Sequence, residues 1–155
     1  MPRRKQAPRK TLVADANAVV RACTGMAMRL AARRNTRFLE ERMQETGLSV
    51  AQFGLMAHIA AAGDDTIGTL AGRSGLDQST LSRNLRGLER DGLVEIAIVE
   101  KDLRRRAVWL TEDGARRLEA AIPAWRRAQE ALGTVVNPRD VRNIAAAAAA
   151  LSGNR

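Results

Sequence analysis

Three arginines, Arg104, Arg105 and Arg106, follow Asp102 in the stretch EKDLRRRAVWLTEDG. A guanidinium stays charged and presents its N–H donors as a planar fork, so the chemistry it offers is the holding of anions, phosphate above all. Upstream, QSTLSRNLR supplies Gln78, Ser79, Ser82, Arg83 and Arg86. Short hydroxyls and an amide followed by long cations suit base edges and backbone phosphates. Catalysis has far less to work with. The chain has one histidine, His58, one cysteine, Cys23, and no tyrosine. No nucleophile–base pair, metal cluster or cofactor motif is visible, and no enzyme activity is expected.

The whole chain leans the same way. Its formal net charge is +9 over 155 residues, which favours an anionic partner such as double-stranded DNA. Residues 1–10, MPRRKQAPRK, hold Arg3, Arg4, Lys5, Arg9 and Lys10 without an acid and read as a disordered basic arm. Residues 11–155 suit a single domain with a core of its own. A lone cysteine allows no intrachain disulfide. No apolar run approaches the roughly 20 residues that span a bilayer, and no secretory pattern is present, so a cytoplasmic protein without a membrane partner is expected.

These side chains need elements to aim them. Ala and Leu dominate and aromatics are 3% of residues, a mix that favours helices. Leu12, Val13, Ala16, Val19, Val20, Cys23, Met26, Ala27 and Leu30 recur at helical steps, predicting one long helix over 11–46 that ends at Gly47. It exceeds what a domain of this size needs, and a partner subunit is one way to cover it. Ser49 and Gln52 form a capping box for a second helix, with Phe53, Met56, Ala57 and Ala60 inward and Gly63 as its stop. A short helix over 68–74 points Leu70 and Ala71 inward. Gly75 ends it, Leu76 fills the turn, and Asp77 caps a helix to Asp91 whose inner stripe is Leu81, Leu85 and Leu88. Two helices across a tight glycine turn make a helix-turn-helix. Short strands follow in LVEIAIVEKD and RAVWLT, with Glu100 to Arg105 as the loop between them. Thr111 caps a helix to Leu132 with Pro123 in its middle, where a kink is expected. Asn137 and Pro138 open the last helix, with Val141, Ile144, Ala148 and Leu151 on its packing face.

The order strand, helix, helix, strand, loop, strand is a winged helix-turn-helix. The second helix then enters a major groove with Gln78, Ser79, Ser82, Arg83 and Arg86 facing the bases, its free N-terminal N–H groups favouring phosphate. The wing brings Arg104, Arg105 and Arg106 to a minor groove. Alternation sends neighbouring arginines to opposite faces, so the three need not share one task. Asp102, two residues before Arg104, is placed to pre-orient that guanidinium. Trp109 packs across the wing base as a buried structural residue.

The stretch STLSRNLRGLERDGLV, the D-L-R of Asp102 to Arg104, and LTEDG at Leu110 to Gly114 resemble the multiple-antibiotic-resistance regulator (MarR) family, and GLSVAQFGLM resembles its second helix. The likeness runs from about residue 15 to 150. It implies a mainly α fold with a small β-wing: a winged helix-turn-helix over 49–111, flanked by dimerisation helices over 11–46 and 115–152. It implies a homodimer on a palindromic operator, usually a repressor, with an effector pocket between the dimer helices and the winged part. The wing contact falls by analogy to Arg104, oriented by Asp102.

Two triggers fit such a regulator. An aromatic or anionic effector would use Met26, Arg29, Arg33, Met56 and His58, since arginine suits an anion and methionine adapts to varied apolar shapes. Oxidation of Cys23 is the alternative, by likeness to organic-hydroperoxide sensors. Those sensors hold their thiolate with tyrosines, which this chain lacks, so a buried inert thiol is the stronger expectation. From another class, a sequence-indifferent architectural DNA-binding protein also fits the charge.

Overall fold

A computed structural model describes residues 11–62, 65–99 and 102–152. The basic arm of residues 1–10 lies outside the described residues, as do Gly63, Glu100 and Lys101. By packing, the chain divides into two compact units, one up to Phe38 and one from Leu39 onward.

The first unit is helical. Helix α1 spans Leu12–Ala22 and α2 spans Thr24–Met43, so the single helix expected over 11–46 is two helices and a short 3₁₀ turn. The break is at Cys23, whose ψ of 100° is extended. Its N–H still closes the last turn of α1 on the Val19 carbonyl at 2.9 Å, while its own carbonyl opens α2 by accepting from the Ala27 N–H at 3.1 Å. The run Cys23-Thr24-Gly25 explains the site of the break, because all three are weak helix formers. No residue of α1 is buried. Its apolar stripe is open, with Val13 at 72% and Val20 at 64% exposure.

The second unit holds the core. The chain leaves α2 through the 3₁₀ turn Gln44–Thr46 and a left-handed Gly47. The Val50 N–H donates to Glu40 Oε1 at 2.9 Å, tying α2 to the start of α3, Val50–Ala62. The capping box forms in both directions: Ser49 N–H to Gln52 Oε1 at 3.0 Å, Gln52 N–H to Ser49 Oγ at 3.1 Å. Helix α3 is apolar on most sides and is correspondingly central, touching α4, α5, α6 and a strand. Its buried residues are Phe53, Leu55, Met56 and Ile59, whereas Ala60, expected inward, is exposed. Periodicity alone could not choose among so many apolar positions.

Strand β1 is Asp65–Thr66, α4 is Ile67–Ser74 and α5 is Gln78–Arg90. Gly75 between the helices has φ of 64°, the left-handed geometry expected there. Leu81, Leu85 and Leu88 of α5 are buried against Leu70, Met56 and Ile59 in one cluster. Strands β2, Val94–Val99, and β3, Asp102–Leu110, pair antiparallel, and β1 pairs with the other edge of β3. The expected loop from Glu100 to Arg105 is shorter than that, because β3 already begins at Asp102. The register jumps there, with Ile98 opposite Arg106 and Val99 opposite Asp102. Leu103, Arg104 and Arg105 form a bulge without partners on β2.

Helix α6, Glu112–Gly133, runs through Pro123, and α7 is Pro138–Ala149. Asn137 caps α7 by accepting from the Arg139 N–H at 2.9 Å, with Pro138 at the first helical position. No residue of α7 is buried; Val141 is 49% and Ile144 52% exposed, so the face expected to pack is open within one chain. Among the described residues no helix is long and apolar enough to cross a membrane.

Candidate nucleic-acid interface

The buried leucines of α5 force its other face outward. Gln78, Ser79, Arg83 and Arg86 are exposed and Ser82 is half-buried, so the five predicted positions share one accessible surface. Rigid support from three buried leucines is what a reading surface requires.

The N-terminal end of this helix carries the expected Asp77 cap, which takes up one of its backbone N–H groups, that of Thr80. The Asp77 carboxylate accepts the Ser79 hydroxyl at 2.6 Å, the Thr80 N–H at 2.9 Å and the Thr80 hydroxyl at 2.7 Å. Those bonds, the Ser79 hydroxyl foremost, hold the Asp77 carboxyl far below the usual carboxylate range. The Ser79 proton is thereby committed, so its oxygen turns lone pairs outward. Such a group can accept a hydrogen bond but has no proton left to donate to a phosphate. Asp77→Ala is expected to lower the thermal midpoint at neutral pH. A carboxylate held low contributes stability that is complete above its ordinary value of 3.8 and is lost as pH falls through the lowered one. The gap between variant and wild type should therefore narrow below about pH 4; a gap constant from neutral pH into strong acid would contradict the assignment.

On the wing, Arg106 is exposed and stands opposite Ile98. Asp102, Arg104 and Arg105 are placed by backbone only, within the first residues of β3; their side chains lie outside the description. Trp109 is half-buried rather than buried, and its indole N–H donates to Glu95 Oε2 at 3.0 Å, across the strand pair that the register makes of these two residues.

The end of the wing is clamped to the exit of α5. The Thr111 hydroxyl donates to the Gly92 carbonyl at 2.7 Å and accepts from the Gly114 N–H at 2.9 Å, while the Thr111 N–H donates to the Leu93 carbonyl at 3.2 Å. Gly114 is buried, and a Cβ there would sit 1.9 Å from the Leu93 carbonyl oxygen. The LTEDG stretch is therefore a cap and a close backbone approach in one. Sequence reasoning found the cap and missed the approach, since Leu93 is distant in the chain.

Of the expected effector residues, three lie in the first unit and two in the second. Met26, Arg29 and Arg33 are exposed on α2 in the first unit. In the second unit Met56 is fully buried in the core and His58 is exposed. Two residues apart on a helix, Met56 and His58 face nearly opposite ways from α3. Met56→Ala should cost about 2–5 kcal/mol of stability, as for other core truncations. His58→Ala should stay within about 0.5 kcal/mol; urea unfolding compares the two. The second unit does contain a hollow of about 390 Å³ beside the 3₁₀ turn and α6, lined by Thr46, Ala120, Pro123 and Ala124 with Arg117 and Arg127. Arg127 pairs with Glu45 at 2.5 Å. Cys23, expected buried, is partly exposed at the break between α1 and α2. Among the described residues no group of three or more potential ligands could hold a metal.

A helix-turn-helix with a supported polar face, a β-wing beside it and arginines on both defines a winged-helix DNA-binding protein. Known proteins agree. The MarR family model matches residues 46–105. The transcriptional regulator MosR of M. tuberculosis, solved in complex with DNA, is 33% identical, with 84% of this chain and 96% of that one covered and a TM-score of 0.76. A second crystal structure of MosR is 31% identical over 86% of this chain and 98% of that one, with a TM-score of 0.75. BpsR of Bordetella bronchiseptica, 20% identical over 86% and 96%, shares the fold at 0.72. Sequence comparison with curated proteins gives no match. The chain belongs to the MarR family of DNA-binding transcription regulators.

Proposed function

We propose that this protein is a homodimeric repressor that binds a palindromic operator and is released by a small aromatic or anionic effector. The observation that carries the reading is the exposed, leucine-backed face of α5 carrying Gln78, Ser79, Ser82, Arg83 and Arg86. Arg104, Arg105 and Arg106 extend that face along the wing, with Asp102 orienting Arg104. The open apolar faces of α1 and α7 support a dimer, because contiguous exposed apolar surface marks an interaction site. Residues 11–155 then act as one regulator, 49–111 reading DNA and the flanking helices 11–46 and 115–152 meeting the partner copy. Two half-sites would lie roughly 34 Å apart, one helical turn.

For the effector, Met26, Arg29, Arg33, Met56 and His58 stand beside a second candidate, the hollow lined by Arg117, small apolar walls and the Arg127–Glu45 pair within one unit. BpsR, whose DNA binding is regulated by 6-hydroxynicotinic acid, is a precedent for the same fold. A second reading, release by oxidation of Cys23, is favoured by the partial exposure of that thiol.

DNA selection with the purified protein tests the proposal, repeated with aromatic acids, their thioesters and peroxides. A selected palindrome released by one of the acids supports it. Uniform coating without a protected palindrome identifies an architectural protein instead. Release by peroxide that Cys23→Ser abolishes identifies the thiol reading.

A further inference from the structure

We propose that Ile98 is a direct DNA contact, an apolar shelf that rests on the sugar walls of the minor groove beside Arg106. The inference rests on the reading that the wing meets DNA, and it adds a residue of different chemistry from the arginines.

Alternation puts Val94, Ile96 and Ile98 on one face of β2. Their partners on β3 are Leu110, Val108 and Arg106. At the base this row is core: Val94 is 2% and Val108 1% exposed. One rung outward Ile96 is half-buried, and at the next Ile98 is 53% exposed. Strand β1 reaches only Ala107 and Val108, so the hairpin is two-stranded where Ile98 and Arg106 face each other. Ile98 thus keeps the orientation of a core residue after the core has ended.

Among the residues of known exposure from 49 to 98 and 106 to 111, Ile98 is the one large hydrophobic residue left exposed; the others lie on α1, α2, α6, α7 and the turns flanking α7. A dimer covering those helices gives no reason for an open isoleucine on the wing. DNA does. Directly opposed residues of an antiparallel pair have Cβ atoms about 5 Å apart, so Ile98 and Arg106 present an apolar surface and a cation side by side. A minor groove offers the complement, C–H-rich sugar walls around a floor of negative potential. The surface is shared with Arg106, directly opposite Ile98, and this pairing of an apolar group with a cation commits it to nucleic acid rather than to a protein partner.

Ile98→Thr keeps the branched β-carbon and the strand while removing apolar surface. Binding is measured by fluorescence anisotropy on a duplex carrying the selected site and on a random duplex, across a salt series. Ile98→Thr should weaken binding to the selected site roughly 5- to 10-fold with an unchanged salt slope, since an apolar contact displaces no counterion. Ile98→Leu should restore most of the affinity. Arg106→Ala should instead lower the slope by about one. Wild-type affinity in Ile98→Thr overturns the proposal, and so does a change of oligomeric state in place of a change in DNA affinity. If Arg104→Ala, Arg105→Ala and Arg106→Ala are all silent as well while the selected site is still bound, the wing reading itself has failed; if Ile98→Thr alone is silent, only this inference has.

Discussion

Gly114→Ala is expected to destabilise the protein by at least about 3 kcal/mol, lowering the thermal midpoint by roughly 6–12 °C for a chain of this size. The new Cβ would meet the Leu93 carbonyl oxygen at 1.9 Å and its carbon at 2.9 Å. Both are backbone atoms, so no rotamer change relieves the clash. The backbone must move where the exit of α5, both wing strands and the start of α6 converge, held by the Thr111 bonds to Gly92 and Leu93. Gly72, in α4, has nothing within 4 Å of its Cβ position. Gly72→Ala should be stabilising by about 0.5–1 kcal/mol, the usual gain for a helical glycine replaced without a clash. Thermal unfolding of the two variants side by side separates close approach from helix propensity. Equal midpoints would show that α6 can shift away from Leu93 at little cost.

Arg83→Ala and Arg104→Ala are expected to damage DNA binding in different ways. Arg83 stands on the exposed face of α5, where a long fork reaches base edges. Its loss should erase discrimination at one base pair per half-site, worth about 1–3 kcal/mol or roughly 5- to 150-fold. Binding to random duplex should change much less. Arg104 lies in the bulged part of β3. Its loss should weaken all duplexes nearly alike and lower the salt slope by about one. Competition between the selected site and single-base variants, at two salt concentrations, distinguishes them. If Arg104→Ala leaves both affinity and slope intact, the groove contact belongs to Arg105 or Arg106.

Much of the DNA-facing architecture is legible from short stretches, because its signals act within four residues. Ser49 with Gln52, Asp77 with Thr80, Thr111 with Gly114 and Asn137 with Arg139 each form a cap within a single turn. Gly75 at positive φ and the leucine spacing of α5 are equally local. From these the two helices, their order and the outward arginine face follow without any knowledge of distant contacts.

Other features depend on which distant residues meet. Whether Met56 or Ala60 is buried on α3 depends on where α4, α5 and α6 lie around it, since nearly every candidate position there is apolar. The start of β3 at Asp102 is a property of pairing between strands, and the bulge puts Arg104 and Arg105 outside the simple alternation expected of them. Leu93 and Gly114 approach because the Thr111 N–H bonds the Leu93 carbonyl and brings the start of α6 against it, which composition cannot encode. The sequence by itself determined the caps, the helix-turn-helix and the cationic face, because those are short-range hydrogen bonds and periodicities. Only the tertiary structure decided the exposure of Ala60, the exposure of Ile98 beside Arg106 and the clamp at Thr111, because each depends on segments that the chain brings together only on folding.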